Sequence, residues 1–115
     1  MIRFPSRVLV VSTVTFGLAA ILIMVAMPLN AADQPTVKIE NFAFTPTMLT
    51  VKQGTTVTFE NDDDIPHLVV ANDASFRSKA LDTGDTYAFT FTKVGDYAYF
   101  CGLHPHMQGR ITVAP

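Results

Sequence analysis

The sequence predicts an all-β domain, a Greek-key β-sandwich of seven to eight short strands, behind an N-terminal apolar signal or anchor helix. Three observations point there. Apolar and polar residues alternate in segment after segment from Thr36 to Val113, the period of strands with one buried face. Gly, Pro, Asn and Asp punctuate those segments at short intervals, as the turns of an all-β fold require. No stretch after Met27 keeps the apolar period of a helix.

Residues 1–32 stand apart from the rest. Arg3 and Arg7 are their only charges, and Val8 to Met27 is mostly apolar, softened by Ser12, Thr13, Thr15 and Gly17. The small residues Ala31 and Ala32 follow, and Asp33 restores polarity. A basic end, an apolar run and a small-residue site in that order read as a secretory signal. The run is also long enough to span a bilayer as one helix, which takes about 20 residues. A retained membrane anchor over residues 8–27 is therefore the alternative. Either way the domain formed by residues 33–115 is expected in the periplasm, free or tethered to the outer face of the inner membrane.

Within that domain the strands read in order as Thr36–Phe42, Leu49–Val51, Thr56–Glu60, His67–Ala71, Thr86–Phe91, Tyr97–Cys101 and Gly109–Val113. Pro46 breaks the first from the second, and Gln53-Gly54 makes the next turn. Asn61 to Pro66 is loop by composition, and Gly84-Asp85 and Gly95-Asp96 are further turns. Residues 72–85 are irregular, with room for a short edge strand around Phe76.

The 115 residues suit a single domain, and 49% of them are apolar. With Arg3 and Arg7 set aside, six Lys and Arg face ten Asp and Glu, a net charge near −4. That balance excludes nucleic acid as a partner, because phosphate binding needs clustered cations. Cys101 is the only cysteine, so an exported chain can form no internal disulfide. An unpaired thiol in an oxidising compartment has metal ligation as one use. A buried, inert thiol is the other reading.

Cys101-Gly102-Leu103-His104-Pro105-His106-Met107 favours the first. It offers a thiolate, an imidazole and a thioether at the spacing C-x-x-H-x-x-M. Thiolate and imidazoles in a trigonal set, with a weak axial thioether, make a blue-copper site. His67, in the loop-to-strand segment upstream, is left to supply the second imidazole. His106 is expected at the surface, and Met48 is a poor second candidate for the axial place. Asp62, Asp63 and Asp64 read as a solvated loop near the site, too few ligands for a calcium cage.

Larger blocks carry a family resemblance: Phe44-Thr45-Pro46, Leu49 through Phe59, Asn61 through His67, and Gly95 through Cys101. Over residues 36–113 the domain resembles the cupredoxins, the type 1 copper proteins, in the amicyanin, plastocyanin and pseudoazurin group. Its short ligand loop is similar to that of amicyanin. The resemblance implies a copper cofactor, with His67, Cys101 and His104 as equatorial ligands and Met107 axial. It further implies a monomeric electron carrier rather than an enzyme, with transient redox partners docking near His104, Pro66 and Pro105. Two positions depart from the family. Leu68 stands where asparagine is common and Gly102 where Ser or Thr is common, so the polar tie between the ligand loops is absent. Backbone N–H groups are then expected to hold the Cys101 sulfur.

Two rivals differ in class. A copper-delivery protein without redox turnover would lack a stable, coloured Cu(II) form. An enzyme using Cys101 as nucleophile and His104 as base would keep activity after metal removal.

Intact mass of the protein from its native compartment should show a chain beginning after Ala31 or Ala32. Recovery of full-length chain from membranes alone would establish the anchor.

Overall fold

The computed structural model describes residues 34–115, together with Ile2, Arg3 and Gly17. The expected signal or anchor helix lies outside the described residues. Eight strands form: β1 (Thr36–Glu40), β2 (Ala43–Thr45), β3 (Met48–Lys52), β4 (Thr55–Asn61), β5 (Val69–Ala71), β6 (Thr86–Phe91), β7 (Gly95–Cys101) and β8 (Gln108–Ala114). They make two four-stranded sheets, ordered β2-β1-β4-β6 and β3-β8-β7-β5. β1–β2 and β7–β8 pair as antiparallel neighbours. Every other connection carries the chain from one sheet to the other, which is the Greek-key character expected of the sandwich. β1 runs parallel to β4, and β3 parallel to β8.

Period-two alternation fills the space between the sheets. Val37 and Ile39 of β1, Val57 and Phe59 of β4, and Ile111 and Val113 of β8 are all buried, with exposed or half-buried neighbours between them. The same phase continues to the strand ends and decides what is buried at one pole. In β7 the inward series Tyr97, Tyr99, Cys101 ends on the thiol, and in β4 the series Val57, Phe59, Asn61 ends on an amide. Counting back from Gly109 in β8 puts Met107 on the buried face just before its strand begins. One pole of the sandwich therefore gathers sulfur and polar atoms because the alternation carries them inward there.

Tyr99 sits at the middle of the core. Its ring packs edge-on against Phe44 at 4.7 Å and Phe59 at 5.4 Å between centroids. Across the β7–β8 ladder Tyr99 faces Gly109. A Cβ at Gly109 would lie 2.3 Å from the tyrosine ring, so only glycine leaves room for it.

Three sequence expectations are corrected. The first strand was expected to run to Phe42; it stops at Glu40, because Asn41 (φ 53°) and Phe42 (φ 55°) turn left-handed and send the chain back as β2. The strand expected from His67 begins at Val69, with His67 held in an isolated bridge to Leu81. The turn placed at Gly95-Asp96 falls before Gly95, where β7 already starts. Around Phe76 there is an isolated bridge, Val70 to Arg77, rather than a strand. This segment covers the edge of β5: the Val69 N–H donates to Ser78 Oγ at 2.9 Å, and the Ser78 N–H donates to the Val69 carbonyl at 2.8 Å.

Gly109→Ala should overpack this centre and lower stability by about 1–3 kcal/mol, read as a lower denaturant midpoint of the metal-free domain. An unchanged midpoint would mean that Tyr99 is not seated against Gly109.

Candidate metal centre

The loop between β7 and β8 explains why the motif is spaced as it is. The His104 N–H donates to the Cys101 carbonyl at 3.2 Å, and the Met107 N–H donates to the His104 carbonyl at 2.9 Å. Two successive turns, each closed from residue i+3 back to residue i, thus step from 101 to 104 to 107. The Cys101 N–H closes the loop onto the Met107 carbonyl at 3.0 Å. Cys101, His104 and Met107 are therefore the residues at the ends of these turns.

His67 reaches this loop from the other side. Its backbone is fastened twice to Leu81, its N–H donating at 3.1 Å and its carbonyl accepting at 2.7 Å. Its ring is fully buried and presents Nδ1 to Cys101 Sγ at 3.5 Å. His104 presents its own Nδ1 to the same sulfur at 3.8 Å. One nitrogen from each imidazole and the sulfur all lie within 4.8 Å of one another. Cys101 is fully buried and His104 is half-buried. Met107, 3% exposed, belongs to the core cluster that also holds Cys101. His106 is exposed, its ring 6.4 Å from that of His104, and Met48 is 72% exposed.

The orientation of His67 is set through its other nitrogen. Nε2 lies 2.8 Å from Asp63 Oδ2. A carboxylate there accepts a hydrogen bond from Nε2–H and leaves the Nδ1 lone pair facing the sulfur, the arrangement that orients imidazoles toward metals. Burial alone would raise the Asp63 carboxyl. The backbone N–H groups of Phe42 and Asn41, and the His67 ring, outweigh it and hold the group below the usual carboxylate range. Asp62 and Asp64 are exposed, as the loop composition predicts, but Asp63 is turned inward with 11% of its side chain exposed.

Asn61 fixes that loop. The side chain is fully buried, donating to the Ile65 and Leu81 carbonyls at 2.8 Å each and accepting the Asp63 N–H at 2.9 Å. An Asx turn at Asn61 thereby sets Asp63, and Asp63 sets His67. Sequence reading placed Asn61 only inside a matching block and Asp63 in solvent. Their signal was the Asn-x-Asp pair four to six residues ahead of the histidine, which composition alone reads as loop.

The missing polar tie is replaced by packing. Leu68 lies over Gly102, where an added Cβ would come within 2.6 Å of Leu68 Cδ2 and 3.2 Å of Val70 Cγ2. The Gly102 N–H donates to the Leu68 carbonyl at 2.7 Å, and the Leu68 N–H points to Cys101 Sγ at 3.4 Å. Backbone does hold the sulfur, as expected.

Residues 14–113 match the family described as the Cupredoxin-like domain. The chain is a cupredoxin. This cupredoxin is 35% identical over 95 residues to amicyanin of Paracoccus versutus, covering 75% of this chain and 72% of that one. Against the chloroplastic plastocyanin of Chlamydomonas reinhardtii it is 34% identical over 105 residues, covering 76% and 72%. It superposes on the Cu(I) form of a methionine-to-alanine mutant of amicyanin with a TM-score of 0.67 and 32% identity, over 71% of this chain and 83% of that one. The donor set of this cupredoxin fits copper: one buried sulfur and two imidazole nitrogens converge, and Met107, a thioether residue, is buried in the core cluster that holds the cysteine.

Asn61→Leu should cost the metal-free domain roughly 3 kcal/mol, from three hydrogen bonds at about 1 kcal/mol each. Urea unfolding measures it. A loss below about 0.5 kcal/mol, within the range of ordinary surface substitutions, would mean that the loop holds His67 without Asn61.

Proposed function

We propose that this cupredoxin is a single-copper electron carrier working outside the cytoplasm, with His67, Cys101 and His104 as equatorial ligands and Met107 as the axial one. The observation that carries this reading is the convergence of three donor atoms within 4.8 Å. Copper, when bound, supplies a one-electron couple. The chain's part is to fix the donors and to keep water from them. His67 and Cys101 are fully buried, and backbone bonds hold both. Donors already in place need little rearrangement when the charge of the centre changes, which favours repeated electron transfer over delivery of the metal.

His104 is the half-buried member of the set and gives the electron its way out through the ring edge. Around it Pro66 and Pro105 are exposed, and Leu103 and Phe42 are each 50% exposed. A small apolar surface of this kind suits transient redox partners, whose interfaces bury little area. In the same reading residues 1–32 are a signal or an anchor, and residues 33–115 work as a monomer in the periplasm.

Cu(II) added to the purified domain should give an intense visible band and the EPR signal of a type 1 centre. A domain that binds copper but stays colourless would favour delivery. His104→Ala should abolish the colour, restored in part by added imidazole, while His106→Ala should keep it. Met107→Gln should retain copper and colour with a lower reduction potential. Loss of copper binding in that variant would contradict an axial role for Met107.

A further inference from the structure

The two-residue β1–β2 hairpin takes left-handed backbone at both turn positions, and an aromatic residue makes that costly here. Asn41 (φ 53°) and Phe42 (φ 55°) are consecutive non-glycine residues in the left-handed region. Asparagine visits that region readily; a bulky aromatic there needs something to hold it. Asp63 supplies it from the loop after β4. Its Oδ1 accepts the Asn41 N–H at 2.7 Å and its Oδ2 accepts the Phe42 N–H at 3.1 Å. Successive N–H groups in such a turn form a concavity suited to an anion. The same Oδ2 lies 2.8 Å from His67 Nε2.

The turn delivers one side chain to the metal centre. The Phe42 ring stands 5.7 Å from the His67 ring and 5.4 Å from the His104 ring, at interplanar angles of 90° and 89°. Both contacts have the edge-to-face form that aromatic rings prefer. Asp63 touches His67 directly; Phe42 links the carboxylate to His104 as well.

We propose that Phe42 is a positioning residue for both imidazoles and that Asp63 is the latch that keeps it against them, so that a carboxylate bonded to one histidine also sets the orientation of the other. This inference rests on His67 and His104 being ligands. Asp63 holds the turn by two backbone hydrogen bonds and His67 by a third contact, and asparagine at that position has a single acceptor oxygen to serve the three. Opening the latch frees the turn, and the ring leaves both histidines.

The test compares the wild-type chain, Asp63→Asn, Phe42→Gly and the double variant. Glycine removes the ring while tolerating the left-handed turn, so Phe42→Gly keeps its fold if Asp63→Asn does not. His67 and His104 ring resonances are read by NMR in the metal-free and Cu(I) forms. EPR of the Cu(II) form reads ligand geometry, and chelator competition reads copper affinity. Asp63→Asn should move the His104 resonances and weaken copper binding about 10- to 100-fold. Phe42→Gly should change the Cu(II) hyperfine pattern, and in that background Asp63→Asn should no longer move His104. A blue wild type in which Asp63→Asn moves His67 alone, or in which Phe42→Gly leaves the EPR spectrum unchanged, would overturn the latch and leave the ligand assignment standing. A wild type that fails to turn blue would overturn both.

Discussion

The metal centre depends on one backbone closure, the Cys101 N–H to the Met107 carbonyl at 3.0 Å. It extends the β7–β8 pairing beyond Phe100 and Gln108 and makes the motif a loop of fixed ends. With the ends fixed, two equal turns leave few places for His104. The closure also keeps Cys101 and Met107 in phase with their strands, so both face the core. The core behind the loop makes the register unique, since the Tyr99 ring needs the space left open at Gly109.

Polar atoms at this pole are buried without being stranded. Among the described residues no buried side-chain nitrogen or oxygen lacks a hydrogen-bond partner. That condition is demanding here, where Asn61 and His67 are both fully buried. An unpaired buried amide or imidazole would cost about 1–3 kcal/mol, so each must be met by a specific neighbour. Asn61 meets its share with the Ile65 and Leu81 carbonyls and the Asp63 N–H, while Leu81 also clamps the His67 backbone. The same few groups stabilise the fold at this end and aim the histidine. Stability and function are not separable at this pole.

Much of this was legible in the sequence. The candidate donors stood out because three fall within one short motif and His67 was left to complete the set, and the structure brings His67, Cys101 and His104 together. The strands showed because each buries one face. The point where the first strand doubles back was in the pattern but not read from it: Val37 and Ile39 set the inward phase, and polar Asn41 followed by Phe42 breaks it where the backbone turns left-handed under the hold of Asp63. Asp63 itself was hidden among three adjacent aspartates, two of which face solvent. Choosing the inward one needs the Asx turn at Asn61, a tertiary fact. Residues 72–85 were opaque for a related reason. Their order comes from single side chains, Phe76 plugged into the core and Ser78 bonded to Val69, rather than from a repeating pattern.

If the fold alone places the donors, they must stand in position before any metal arrives. Crystal structures of the metal-free and copper-loaded protein, with anomalous scattering collected at the copper edge, test this most directly. One copper peak should appear, bonded to His67 Nδ1, Cys101 Sγ and His104 Nδ1 and close to Met107, with these side chains in the same rotamers in both forms. A copper peak elsewhere, or a metal-free form in which His67 or His104 has swung away from Cys101, would contradict it.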